Sequence, residues 1–502
     1  DNEGGNESNG NGDDGNTETP ADGDTYGYIK DTNGNPVEGV VVSDGYSCTA
    51  TDAEGRYALT RNADAGFVFY SLPSAYKVSV DKTYKLPRFF ARLQAGTARY
   101  DFTLEALAAP EKRFDLICIG DPQINEASHA VRFKEEAGRE IREYAASAGV
   151  PCYGITLGDH VNNKWTLFTN MVVALQPEQT GVPVFATIGN HDHEFPTADE
   201  KAARAKYESY FGPVDYSFNR GDVHVVSMDN VIHSCKASAD YEGGFTAAQY
   251  AWLKQDLSFV PKDKMVILCV HIPFRGGWGT NSAHADADKY YDEVLDLLSQ
   301  YEYAAIMSAH THSNINYIHR KNGKEIFEHV TGTTCGAWWR STVCTEGTPI
   351  GFGLYRIDGN RMEEWAYRSV RHDEQFQIRL YRASDTFVGG AKYRFKQTGA
   401  DQIVANIWNW DPSWTVNVYE NDVLSGQMTR NSDIDAWTVA YHIGLLNNTD
   451  SYRKSSDHMF HYTLKNPAAA VRVEAIDRFG NKYEQTVFTD PAEHPGDFHA
   501  DF

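Results

Sequence analysis

Residues Val184–Phe195 read VFATIGNHDHEF. The apolar start has the texture of a buried strand, and it stops abruptly at Gly189-Asn190-His191-Asp192-His193, so coordinating side chains stand where burial ends. Four more strand-like runs end in the same way. FDLICIG leads into Asp121-Pro122-Gln123, CYGITLG into Asp159-His160, MVILCV into His271, and YAAIMSA into His310-Thr311-His312. Carboxyl ends of parallel strands converge on one rim of a sheet, where ligands bind, so five such ends predict one site rather than five.

The residue types define what that site holds. Asp121, Gln123, Asp159, Asn190, His271, His310 and His312 mix hard oxygen with imidazole nitrogen, a set suited to two adjacent Mn, Fe or Zn ions rather than to Ca or Mg alone. One shared carboxylate can keep such a pair about 3.5 to 4 Å apart, and a bridging water then becomes a nucleophile near neutral pH. The expected reaction is hydrolysis of a phosphate ester.

The ordered set Asp121-x-Gln123, Gly158-Asp159, Gly189-Asn190-His191-Asp192, His271 and His310-x-His312 resembles the calcineurin-like metallophosphoesterase family. YFGPVDYSFNRGDVHVVSMDN and QYAWLKQDLSFV also resemble its connecting strands and helix. The resemblance implies an α/β (α+β) core of two β-sheets flanked by helices. It implies Asp121, Gln123 and His312 on a first metal, Asn190, His271 and His310 on a second, and Asp159 bridging. His191 would stay off the metals as general acid, with Asp192 beside it to orient the imidazole. Many family members carry His where this chain has Gln123, and an amide oxygen is a weaker ligand than imidazole, which reads as tuning of the first metal. His310-x-His312 alone would also suit an amidohydrolase barrel, but there the pair belongs on the first strand and here it is on the last. His160 and His193 match no ligand position.

Substrate contacts are expected from HIPFRGGWGTNSAH, where Arg275 could hold a phosphate oxygen and Trp278 wall the cleft, and from TTCGAWWRS, where Trp338 and Trp339 could stack on the organic part. Burial between domains is the competing expectation for the last two.

Outward from this centre the texture changes on both sides. Residues 1–24 carry eight acidic side chains and no Lys or Arg, and read as a disordered Gly/Asn tether. From 25 to 108, short alternating apolar runs cut by Asn-Gly, Asn-Pro and Glu-Gly predict a small β-sandwich. Its pattern Gly-x-Pro-Val-x-Gly-Val-x-Val resembles the carboxypeptidase-regulatory-like, transthyretin-like β domains, which implies a scaffold role. Residues 109–370 form the predicted α/β catalytic domain, and 371–502 a second all-β domain, so β-sandwiches stand at both ends. Within the last domain Trp408, Trp410 and Trp414 suggest a sugar platform, but period-two spacing of 408 and 410 along a strand fits ordinary core better.

The 502 residues are 41% hydrophobic with 29 Tyr and 10 Trp, a globular composition, and the net charge of -23 repels a polyanion, so no nucleic-acid partner is expected. No run of about 18 apolar residues predicts a transmembrane span. The first residue is Asp, so a signal peptide removed before it, and a lipid tether at the missing N-terminus, both fit an extracytoplasmic location. The layout also resembles a branch of the family known chiefly from bacterial extracytoplasmic proteins. Among seven Cys only Cys335 and Cys344 are near enough in sequence to suggest a bridge. A phosphorylated small molecule, sugar, lipid or peptide is the expected partner. The rival expectations are a catalytically weak surface-tethered binding protein and a pyrophosphate-bond hydrolase.

Overall fold

The computed structural model describes residues 23–275, 289–383, 399, 401–448 and 454–486. The acidic opening, apart from Gly23 and Asp24, and Trp278 lie outside the described residues.

Two sheets form the centre. In the first, Val184–Thr187, Cys152–Leu157 and Arg113–Ile119 run parallel, and Gly351–Asp358 and Arg361–Ser369 extend them antiparallel. In the second, Val223–Ser227, Met265–Cys269, Tyr303–Ser308 and Lys324–Val330 run parallel, between antiparallel edges Tyr216–Arg220 and Ile315–Lys321. Register keeps the carboxyl ends level. Thr187 pairs with Leu157, Ile119 with Thr156, and Cys269 with Met307.

Alternation along each strand explains why these runs are apolar throughout rather than every second residue. Leu116, Cys118, Ile155 and Leu157 join a core shared with Val225, Ile267 and Ile306 of the second sheet. Ile117 and Ile119 face the other way, onto Phe133, Ile141, Phe168 and Met171 of the covering helices. Those helices run from Ala127–Phe133 through a π turn into Arg139–Ser147, and over Phe168–Leu175. Glu200–Phe211 starts where Asp199 accepts from the Ala202 amide. Ala247–Ser258 starts in a capping box of Thr246 and Gln249, and with Tyr291–Leu298 it covers the second sheet.

A β domain flanks each end. The N-terminal one pairs a three-stranded sheet with a four-stranded sheet, and its Ile29, Val42 and Phe69 belong to the same apolar cluster as Trp252 and Leu268 of the centre. The C-terminal one packs two antiparallel four-stranded sheets around Leu380, Ile403, Val416, Val473 and Tyr483. Trp414 stacks on Tyr483 there, and Trp408 is fully buried. The expectation that 408 and 410 share a strand face is corrected. The strand Gln402–Asn406 ends before them, and the Trp410 amide turns back to the Ile407 carbonyl.

The suggested Cys335–Cys344 bridge is absent. Both are free, buried thiols, and burial pushes the Cys344 thiol up to about 12. Among the described residues no helix is long and apolar enough to cross a membrane.

Candidate metal centre

The level strand ends meet where the two sheets join. Asp159, from the first sheet, puts Oδ2 3.3 Å from His271 Nε2 of the second, and Asn190 Oδ1 lies 3.0 Å from the same nitrogen. His310 Nδ1 is 3.1 Å from His271 Nε2, and the His310 amide donates to Asp121 Oδ2 at 3.0 Å. His312 Nε2 stands 3.6 Å from Asp121 Oδ1, and Gln123 Nε2 3.3 Å from Asp159 Oδ2. All seven predicted ligands are thus gathered, and all are buried. Ligand atoms of Asp159, His271 and His310 lie within 4.8 Å of one another.

Backbone geometry accounts for the sharpness of these ends. Asp121, Gln123, Asp159, His310 and His312 have φ of 38°, 37°, 54°, 64° and 54°. Left-handed backbone at a non-glycine residue costs about 1 to 3 kcal/mol and persists only where the surroundings over-determine it. Two neighbouring glycines admit the crowding. A Cβ on Gly158 would sit 2.4 Å from His271 Nδ1, and one on Gly189 would sit 2.3 Å from Asp159 Oδ1.

Hydrogen bonds fix which atoms face inward. His271 Nδ1 is 2.7 Å from the Leu157 carbonyl oxygen, which only an N–H satisfies, so Nε2 is the nitrogen turned to the centre. Tyr241 Oη lies 3.4 Å from His310 Nε2, which leaves Nδ1 turned toward His271.

Electrostatics follow from burial and crowding. Burial holds the Asp121 carboxyl well above its usual range, against the pull of His271. Burial acts on Asp159 in the same sense, but His271 and His191 beside it outweigh that and hold it low. For His271, burial opposes the proton and Asp159 wins, raising it to about 9. His312 is driven down to about 3 by burial, with Lys454 adding to it.

The arrangement fits cations. Asp121 Oδ1 and Gln123 Oε1 are buried acceptors with no hydrogen-bond donor, and an unpartnered buried acceptor is costly unless a positive group meets it. Imidazole nitrogens of His271 and His310 face the same space, completing a mixed O/N set of ligand atoms.

The remaining expected residues divide. His191 donates its amide to Asp159 Oδ1 at 2.8 Å, and its ring Nδ1 lies 2.9 Å from Asn163 Oδ1. Asp192 does not orient that ring. Its carboxylate accepts from the amides of His160, Val161 and Gly189 and meets His160 Nδ1 at 2.9 Å, so it closes the turn instead. His193 bridges the Gly189 carbonyl and Asp229, and His160 bridges Asp192 and Thr156, both away from the ligand atoms. Trp339 is buried, donates Nε1 to the Pro122 carbonyl between two ligands, and stacks on His129, so it supports the rim from beneath. Trp338 is 39% exposed with its ring 5.0 Å from His312, at the edge of the cleft. Arg275 is exposed and lies over the Tyr317 ring at 5.5 Å. Sequence reasoning missed Asn163, Tyr241 and Lys454. Only Asn163 had a signal, being a polar residue four positions past Asp159.

Three family models match this chain: the N terminal of calcineurin-like phosphoesterase over residues 24–107, calcineurin-like phosphoesterase over 100–314, and the C terminal of calcineurin-like phosphoesterase over 328–483. The chain belongs to the calcineurin-like phosphoesterases. This is a family of hydrolases that act on phosphate esters and bind divalent metals. The N-terminal β domain matches the family's own N-terminal model. Among curated proteins, purple acid phosphatase 23 of Arabidopsis thaliana is 26% identical over 181 residues, 33% of this chain and 36% of that protein. Purple acid phosphatase 18 of the same plant is 25% identical over 182 residues, 34% and 38% of the two chains. The match thus spans little more than a third of either relative. Among solved structures, purple acid phosphatase PPD1 from yellow lupin (Lupinus luteus) seeds shares 14% identity over 53% of each chain, with a TM-score of 0.36.

Proposed function

We propose that this calcineurin-like phosphoesterase hydrolyses phosphate esters of small organic molecules at a two-metal centre. The observation that carries the reading is the convergence of seven buried side chains from five strand ends, with Asp121 Oδ1 and Gln123 Oε1 unpartnered. Asp121, Gln123 and His312 would hold one ion, Asn190, His271 and His310 the other, and Asp159 both. Bound Mn, Fe or Zn would supply Lewis-acid stabilisation of phosphoryl charge and a nucleophile at neutral pH.

The chain's own residues do the rest. His191 is half-buried at the rim, and Asn163 Oδ1 accepts from its Nδ1–H, so the ring aims Nε2 at the departing alkoxide and, as the doubly protonated imidazolium, donates the Nε2 proton to it. Asn163 thereby takes the orienting role once expected of Asp192. Arg275 pairs with a phosphate oxygen, and Trp338 presents its ring to the ester's organic part. An extracytoplasmic location is part of the proposal, supported by the layout's resemblance to a branch of the family known chiefly from bacterial extracytoplasmic proteins and testable by fractionation.

The experiment is turnover of p-nitrophenyl phosphate with Mn added. Asp159→Asn is expected to lower kcat by more than about 100-fold, since even outer partners of metal ligands cost 10- to 100-fold. His191→Ala should lower it by about 100-fold or more, with Mn uptake unchanged. Wild-type turnover in both variants would sink these roles.

A further inference from the structure

The loop that carries the last two ligands is fastened from two sides. On entry, the His310 amide donates to Asp121. On exit, three side chains meet partners across the seam with the C-terminal domain. Asn314 Nδ2 donates to the Trp408 carbonyl at 2.9 Å, Asn316 Nδ2 to the Asn409 carbonyl at 2.9 Å, and Glu346, which accepts from the Asn314 amide, stands 3.8 Å from His458. Between these ties, at the ligands themselves, one group of the C-terminal domain reaches in. Lys454 Nζ donates to the Thr311 carbonyl at 2.6 Å and to Ser313 Oγ at 3.1 Å.

Thr311 is the single residue between the two ligands, and both ligands have left-handed backbone, φ 64° and 54°. Such a loop relaxes unless its surroundings over-determine it. A charged donor on the Thr311 carbonyl fixes the peptide joining the two histidines, and charge-assisted hydrogen bonds are the stronger kind. We propose that Lys454 is a positioning residue of the metal centre, so that the C-terminal domain is part of the catalytic apparatus and not an appendage. The inference rests on the two-metal reading above. Because His310 and His312 belong to different ions in that reading, losing the tie weakens both sites together.

The test is calorimetric titration of Mn into the chelator-stripped full chain, with thermal melting of the same stripped protein. Lys454→Met is expected to weaken both Mn sites by 10- to 100-fold and to lower kcat on p-nitrophenyl phosphate, with KM at saturating Mn within about twofold. The control is Phe479→Ala. The Phe479 ring packs edge-on against Trp365, centres 4.6 Å apart, across the same seam and away from the ligand loop, so its loss should cost melting temperature and leave Mn affinity alone. Wild-type Mn affinity in Lys454→Met overturns the proposal, as does a loss that Phe479→Ala matches for the same drop in melting temperature. Should Lys454→Met melt below the assay temperature, Lys454→Gln decides. It keeps a donor but reaches one bond less, so weakened Mn binding supports the proposal and wild-type binding overturns it. A wild-type chain that takes up no Mn sinks the phosphoesterase reading, and this inference with it.

Discussion

The two flanking domains meet the centre in opposite ways. At the N-terminal seam one continuous apolar core, in which Phe69 packs edge-on against Trp252, is ringed by polar links such as Asn219 Nδ2 to the Leu72 carbonyl at 3.2 Å, Arg220 to the Pro73 carbonyl at 3.1 Å and the Cys48 amide to Gln255 Oε1 at 3.2 Å, and among the described residues none of these links reaches a ligand-bearing loop. At the C-terminal seam the contact near the centre is polar, with Lys454, Trp408 and Asn409 bonded to the ligand-bearing loop. An apolar seam contributes stability in proportion to area and is indifferent to angle, whereas hydrogen bonds demand geometry. One seam holds the molecule together, and the other aims its side chains.

That contrast can be broken most forcefully at Trp252. It is fully buried, so Trp252→Ala should cost about 3 to 5 kcal/mol in chemical denaturation, while the fraction still folded keeps wild-type kcat and Mn affinity. Altered kcat in that fraction would mean the N-terminal seam also sets geometry.

Next in size is the proton linkage of the centre. His271 is raised to about 9 by Asp159 against the effect of burial, so at neutral pH it carries a proton that a metal must displace. Apparent Mn affinity should therefore fall by about tenfold for each unit from pH 8 to pH 6. Proton release measured by titration in buffers of different ionisation enthalpy checks it, and the same profile in Trp252→Ala sharpens the separation of the two regions.

The smallest effect lies at the N-terminal seam. Burial and then the neighbouring Asp229 raise Asp215 from its ordinary 3.8 to about 7. A raised carboxyl favours the fold in its protonated form, so its contribution is complete below about pH 3.8 and is lost as pH rises through about 7. Asp215→Asn should melt a few degrees above wild type at pH 8, and the gap should shrink toward pH 5.

How much of this was legible in the sequence depends on how each residue reaches the site. The seven ligands stood at the ends of apolar runs, and parallel strands with level registers bring such ends together, so position along the chain was enough. Asp192 was misread because sequence adjacency to His191 implied side-chain adjacency. The two sit on a 3-10 turn, Asn190–Asp192, where neighbouring side chains diverge, and Asn163 fills the place from another loop. Trp408 and Trp410 mimicked strand alternation on a segment that is a turn. Lys454 comes from another domain with no local pattern, so nothing short of the folded chain ties it to Thr311.

Left-handed backbone at five ligand positions has a further meaning. Asp, Asn and His are the side chains that tolerate that conformation best, while Gln123 pays more for it. The rim therefore behaves like an arch built over a keystone. Cations gathering the tips of these loops would reward a posture that costs the chain strain, so ions in a site like this would be as much a part of its masonry as of its chemistry.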